Sequence, residues 1–443
     1  MSNPYLPLWE YIPDGEPRVF GDRVYIYGSH DRVGSNEFCD YKLKVWSAPL
    51  NDLNNWVCHG HIFHTQPDAD HSPDTDWTTE ANFLYAPDVV EKGGKYYLYA
   101  YIMNGLGCVA VSDKPEGPFT LLSKYKYNVP EGREGDFCNN GWFIDPGVLV
   151  DDDGRVYIYC GFERSFVAEL NPDNMYEVID GTYKDDIIPK EGFFEACSPR
   201  KVGDTYYLIY SPTPRGSCLA YATSKSPTEG FEFRGYIVDN SEDYPGGNNH
   251  GSICNINGQW YIFYHRMTNG SIMSRRDCVE RIEILPDGTI PQVEMTSLGF
   301  EESLNPYRIT PAEIACVLKN GGLIAEKDIF TRVVTGITDG CVIGYKYFDF
   351  GEDYSSKTML LSLQTSGCGN MGRLHVRIDG ENGEEIGCAE IGLAGGVVQA
   401  RVKAVTGRHA LYFVADANRP NDWTGDLFKG RQLFELISFV FSK

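Results

Sequence analysis

The sequence predicts an all-β chain, a five-bladed β-propeller followed by a jelly-roll-like β-sandwich. Three observations carry that expectation. A glycine turn leading into an alternating aromatic and aliphatic strand recurs five times before residue 300. From about residue 310 that repeat is gone and other short alternating strands take over. The composition, with 13% aromatics and 47 glycines in 443 residues, suits strands joined by tight turns better than helical bundles.

The repeats read GDRVYIYGS (21–29), GGKYYLYAY (93–101), DDDGRVYIYCG (151–161), GDTYYLIYS (203–211) and NGQWYIFYH (257–265). Each is a hairpin signature. Aligned on Tyr25, Tyr97, Tyr157, Tyr207 and Tyr261, they are spaced by 72, 60, 50 and 54 residues. Asp151 to Gly154 looks at first like a calcium loop. Counted from Asp151, however, positions 5 and 6 are Arg155 and Val156, where an EF-hand needs an oxygen ligand and a glycine. The stretch is therefore read as the third hairpin turn.

A second layer of repetition, VWSAPLNDLNNW (45–56), VAVSDKPEGPF (109–119) and YATSKSPTEGF (221–231), adds a strand and a Ser/Pro/Gly turn to each unit. Units of about four strands arranged radially make a propeller. CVERIEILPDGTIPQVE (278–294) is expected to close the last blade, and GFEESLNPYRITP (299–311) to link it onward. The predicted domains are thus 1–305 and 306–443. In the second, GYKYFDF (344–350), TMLLSLQT (358–365), RLHVRID (373–379), HALYFVAD (409–416) and LFELISFVF (433–441) read as sandwich strands, with a turn at DGENGEE (379–385).

A formal net charge of -23 repels phosphate backbones and argues against nucleic acid as a partner. No run of about 18 apolar residues suggests a membrane span. The 13 cysteines are dispersed without a C-x-x-C pair, which suits free thiols, and the N-terminal residues lack a secretory pattern. The expected location is the cytosol.

The chemistry lies a fixed step before each repeat tyrosine. Nine to twelve residues upstream stand Asp14, Asp88, Asp145, Glu195 and His250. In a propeller these positions fall on the innermost strands and form one ring. Packing does not ask for acids there, because buried like charges pay desolvation and repel. Converging carboxylates suit glycosidic hydrolysis, which needs one protonated carboxyl on the leaving oxygen and one ionised carboxylate. Glu195 follows Phe193 and Phe194, whose apolar surroundings raise a carboxyl pKa, so it is the candidate acid. Asp14, in a polar Pro/Gly turn, is the candidate base. Asp145 is the third charge, orienting Glu195 and keeping it protonated.

PDGEP, FIDPGVLVDDDG, FFEACSPRKVGDTYYLIYS and HGSICNINGQWYIFYHR resemble, in order and spacing, the blade motifs of glycoside hydrolase family 43. The resemblance implies an inverting hydrolase with Asp14 as base, Asp145 as pKa-tuning aspartate and Glu195 as acid. The implied substrates are arabinoxylan or xylan fragments carrying α-L-arabinofuranosyl or β-D-xylosyl groups. It also implies a sugar contact at Arg275, favoured over Arg276 by register, and a calcium held through His250 and waters. Asp88 resembles a substrate- or framework-contacting aspartate, expected here to touch the substrate, and Trp142 is expected to stack on a sugar or to serve in hydrophobic packing. The other functions weighed are a non-catalytic sugar-binding propeller and a retaining fructan-cleaving enzyme, whose NDPNG-type motif is missing.

Two further features are weaker. His59, His61, His64 and His71 cluster in sequence, but only His59 and His61 share a strand face, so a zinc site is not expected. Residues 337–441 resemble carbohydrate-binding module family 6, without that module's usual acidic motif in TPAEIACVLKN. Trp423 is its candidate sugar-stacking aromatic.

Overall fold

The computed structural model describes residues 1–66, 83–103, 107–129, 143–417 and 430–443. Trp142, His71 and Trp423 lie outside the described residues, so the expectations placed on them stay with the sequence.

Each repeat hairpin forms the first two strands of an antiparallel sheet. The sheets begin at Glu16–Phe20, Leu84–Lys92, Gly147–Val150, Glu195–Val202 and Ser252–Ile256. Each continues outward as a meander, with four strands in the first four blades and three in the fifth. The turn glycines Gly21, Gly154, Gly203 and Gly258 all sit at positive φ, between 61° and 89°. Glycine adopts that conformation without a Cβ penalty, which is why the turn was legible. Asp151 takes its place in the third of these turns, where its amide donates to the Arg155 carbonyl at 2.8 Å.

Inner strands of neighbouring blades pack side by side around one axis, the first blade touching both the second and the fifth. Between the fourth and fifth, Ser198 and Ser252 share a hydrogen bond of 2.6 Å, and Arg200 Nε donates to the Ile253 carbonyl at 2.9 Å.

The fifth blade differs from expectation. Its last strand, Ser271–Ile282, ends well before residue 294, and among the described residues no fourth strand joins it. The N-terminal segment covers that edge instead. The Asn3 side chain accepts from the Val279 amide at 2.9 Å and donates to the Val279 carbonyl at 2.8 Å, copying a β-ladder pair. The Asn3 amide itself donates to the Ser297 carbonyl at 3.0 Å. Backbone groups that a missing strand would strand are thereby satisfied.

Beyond Thr310 the chain forms two packed sheets. One is ordered Leu323–Asp328, Thr331–Ile337, Phe434–Ser442, Thr358–Gly367, Gly395–Lys403; the other Val317–Lys319, Val342–Asp349, Arg408–Ala417, Gly372–Ile378, Glu385–Ile391. Along Thr358–Gly367 the side chains alternate buried and half-buried, as one core-facing side requires. Tyr345, Phe413 and Phe439 meet edge to face between the sheets, with centroids 4.9–6.0 Å apart.

The sandwich core runs on into the fourth and fifth blades, joining Ile237, Tyr264 and Cys278 to Ile314 and Leu318. A buried polar seam borders it. Arg276 reaches Glu313 at 3.4 Å, Arg332 pairs with Glu326 at 2.8 Å, and Tyr11 donates to Glu326 at 2.7 Å.

Candidate active site

Strand register sorts the ring residues into tiers. Arg18, Val90, Leu149, Arg200 and Cys254 lie opposite the five repeat tyrosines. Two residues earlier on the same faces come Glu16, Asp88, Gly147, Ser198 and Ser252. Four residues earlier, at the end of the channel, come Asp14, Ala86, Asp145 and His250, with Glu195 brought level by a bulge between Glu195 and Ser198. Asp14, Ala86, Asp145 and Ala196 all have positive φ, from 34° to 69°. Such backbone is costly for non-glycine residues, by about 1–3 kcal/mol each, and concentrates at functional sites.

Asp14, Asp145, Glu195, His250 and Arg275 line one cavity of about 300 Å³. Its walls are otherwise largely apolar: Phe38, Tyr85, Tyr101, Met103, Ile144 and Phe162. Phe162 lies 5.1 Å, centroid to centroid, from Phe194, the neighbour of Glu195.

Arg275 is buried and anchored on two carboxylates. Its Nε and Nη2 donate to Asp31 at 2.9 Å each, and its Nη1 donates to Asp14 Oδ1 at 2.8 Å. Ser29 donates to Asp14 Oδ2 at 2.6 Å and accepts the Ala86 amide at 2.8 Å. The Asp14 amide donates to His265 Nδ1 at 3.2 Å, which leaves Nε2 as the protonated nitrogen facing the Asn248 carbonyl at 3.1 Å.

These contacts separate the carboxyls. Burial pushes Asp14 upward, but the Arg275 guanidinium, His250, His265 and the Ser29 hydroxyl together hold it below the usual carboxylate range. Burial and the charge on Asp14 push Glu195 up to about 7, against the pull of Arg275. Burial, then repulsion from Glu195 and Asp14, raises Asp145 well above its ordinary value. Asp145 and Glu195 titrate as a pair, so a proton is held between them while Asp14 is ionised. Burial lowers both histidines, His265 to about 3. One ionised carboxylate facing a protonated pair can perform general base and general acid chemistry on opposite sides of a small substrate.

One expectation needs correcting. Asp88 sits one tier below the pocket and is 1% exposed. Both its oxygens accept from Arg18, at 2.9 and 2.6 Å, and one also accepts the Val148 amide at 2.7 Å. It is a framework residue joining blades, not a substrate contact. For the calcium expected through His250 and waters, the His250 imidazole is the protein donor at hand. Calcium takes six to eight oxygens. Below His250 the Glu16 and Asp88 carboxylates are already engaged by Arg200 and Arg18, and His250 Nδ1 lies 3.8 Å from both Asp14 and Asp145. Among the described residues no three His, Cys, Asp or Glu side chains assemble as metal ligands, His59, His61 and His64 included.

Sequence reasoning missed Asp31, Ser29, His265 and the tyrosine walls. A signal was present for three of the positions. Four residues after the repeat tyrosines stand Ser29, Tyr101, Gly161, Ser211 and His265, at the pocket end of each second strand.

Comparison with known proteins gives one family. Residues 11–290 match the family described as glycosyl hydrolases family 43. The chain is 40% identical to a xylosidase/arabinosidase of Thermoclostridium stercorarium, over 78% of this chain and 82% of that protein. Among solved structures, a β-xylosidase/α-arabinofuranosidase from a compost microbial metagenome, in complex with xylotriose and calcium-free, is 28% identical with a TM-score of 0.51. That likeness covers 64% of this chain and 94% of the other. An arabinoxylan arabinofuranohydrolase from Bacillus subtilis, at 24% identity and a TM-score of 0.54, shares the fold over 99% of this chain and 97% of its own.

Proposed function

The chain belongs to glycosyl hydrolases family 43, and from that premise we propose an inverting, exo-acting glycosidase for short arabinoxylan or xylan fragments. It removes terminal α-L-arabinofuranosyl groups, with β-D-xylosyl groups as the close alternative. The observation that carries this reading is the convergence of Asp14, Asp145 and Glu195 on one cavity, with Arg275 paired to Asp14 alone among the three.

Asp14, ionised beside Arg275, takes a proton from the attacking water. Glu195 protonates the leaving oxygen. Burial and the charge on Asp14 keep Glu195 protonated, Asp145 shares the coupled site and orients Glu195, and Arg275 fixes the Asp14 carboxylate while facing the sugar. Tyr85, Tyr101 and Phe162 offer amphipathic surface to a sugar ring. A cavity of about 300 Å³ is at the low end for ligand sites, which supports the capture of a single terminal sugar. The names of the relatives support the same substrate class.

The 12 described cysteines are all free thiols, which supports a reducing compartment such as the cytosol and imported oligosaccharides as substrates. We read the sandwich as a module resembling carbohydrate-binding module family 6, packed against the catalytic domain.

The test is hydrolysis of nitrophenyl α-L-arabinofuranoside and nitrophenyl β-D-xyloside by the wild type, Asp14→Asn and Glu195→Gln. Turnover lost by a factor of about 10² or more in both variants supports the roles. Full activity in either variant removes its residue from the mechanism.

A further inference from the structure

A larger cavity than the catalytic one, about 620 Å³, opens where propeller and sandwich meet. One wall is Ser241 to Pro245, the segment leading into Asn248 and His250 of the catalytic pocket. A second is the hairpin end at Met267, Thr268 and Gly270, and Met267 pairs across the sheet with Arg275. The third belongs to the sandwich, Leu318 to Ile324. Both propeller walls therefore come from the end of the blades that carries the reacting groups.

The walls are held rigidly. The Leu318 amide donates to the Asp243 carbonyl at 2.7 Å, and the Asn269 amide to the Ile324 carbonyl at 2.7 Å. Lys319 bridges Asp243 at 2.9 Å and Glu381 at 3.0 Å. The lining alternates hydroxyl, amide and ion-pair groups with the apolar faces of Pro245, Met267, Leu323 and Ile324.

We propose that this cleft is a distal subsite that binds the unreacted backbone of a neutral pentose oligosaccharide whose terminal sugar occupies the catalytic pocket. The inference rests on the glycosidase reading and extends it. The catalytic pocket has room for one sugar, so the rest of a longer substrate must lie along the same end of the propeller. A pentose chain presents hydroxyl edges and C–H faces, matching the mixed lining. The cleft's cation, Lys319, is held by two carboxylates, Asp243 and Glu381, so the lining offers hydrogen bonds without a free positive charge to select an anionic ligand. Because the sandwich supplies one wall, it takes part in substrate choice without touching the reacting atoms.

Leu323 lines the cleft, half-buried and remote from the reacting groups, so Leu323→Trp fills the space and Leu323→Met preserves it. In a Glu195→Gln background, calorimetry with xylotetraose and with xylose reads the cleft without turnover. The tetrasaccharide is expected to bind at least tenfold tighter than xylose, Leu323→Trp to erase that difference, and Leu323→Met to keep it. In the active enzyme, Leu323→Trp is expected to lower kcat/KM on arabinoxylan oligosaccharides about tenfold while leaving nitrophenyl glycosides unchanged. No preference for xylotetraose, or equal losses on long and short substrates, overturns the subsite. A wild type that turns over no nitrophenyl glycoside overturns the glycosidase reading instead, and the calorimetric comparison still decides the cleft.

Discussion

Replacing Arg275 by Gln removes the one arginine or lysine that lines the catalytic cavity among the described residues. The amide is long enough to hydrogen-bond either Asp14 or Asp31, but not both. Arg275 Nη1 is 2.8 Å from Asp14. At an effective dielectric near 20, unit charges about 4 Å apart interact by about 4 kcal/mol, or about three pKa units, which bounds the effect on Asp14 from above. Its carboxyl, now below the usual range, is expected to rise above it. Glu195, at about 7, loses a weaker pull and rises by less. The acidic limb of a kcat/KM profile reports Asp14 ionisation and the alkaline limb Glu195 deprotonation. Both limbs move up in Arg275→Gln, the acidic one further, so the active window narrows and its peak falls. The assay is nitrophenyl glycoside hydrolysis from about pH 2.5 to 9, with thermal unfolding to confirm a folded variant. Unmoved limbs, or an acidic limb that moves down, would refute the charge assignment.

Three other outcomes follow from the same contacts. Glu195 has a folded pKa of about 7, raised above its unfolded value, so the native state binds the extra proton and loses stability as pH rises from about 4 to 7. Glu195→Gln is expected to abolish activity yet to raise Tm at pH 8 by a few degrees and by much less at pH 4; an equal Tm difference at both pH values contradicts the raised pKa. Asp88→Ala strips Arg18 of its bidentate partner but leaves Glu16 at 3.6 Å, so the loss lies near the low end for a broken buried pair, about 3 kcal/mol in urea unfolding. KM for short glycosides stays unchanged there, and a raised KM with unaltered stability would return Asp88 to the substrate. Asp31→Asn loosens Arg275 and is expected to lower kcat on nitrophenyl glycosides more than tenfold with the fold retained, checked by circular dichroism alongside the kinetics.

Much of this architecture was legible because each hairpin carries the same local signal. A glycine at positive φ and a tyrosine strand identify a blade wherever they occur, and Asp14, Asp145, Glu195 and His250 share one tier because their offsets from the tyrosines are 11 or 12. Asp88 has an offset of 9. Side chains return to the same face every two residues, so the shorter offset kept it in the channel but one tier deeper, against Arg18. Alternation also separated Arg275, in the pocket, from Arg276, in the sandwich seam. What stayed hidden depends on partners distant in the chain. Asp31 clamps Arg275 from 244 positions away and belongs to no repeat. The edge of the fifth blade is completed by one asparagine side chain rather than a strand, and no strand pattern announces that.

In the proposed mechanism Asp14 activates water opposite Glu195, with no covalent sugar on the protein. Proton NMR of nitrophenyl β-D-xyloside hydrolysis, followed from the first minutes, tests it most directly. The α-anomer of xylose appearing first, before mutarotation, is the predicted result; β-xylose appearing first would contradict it.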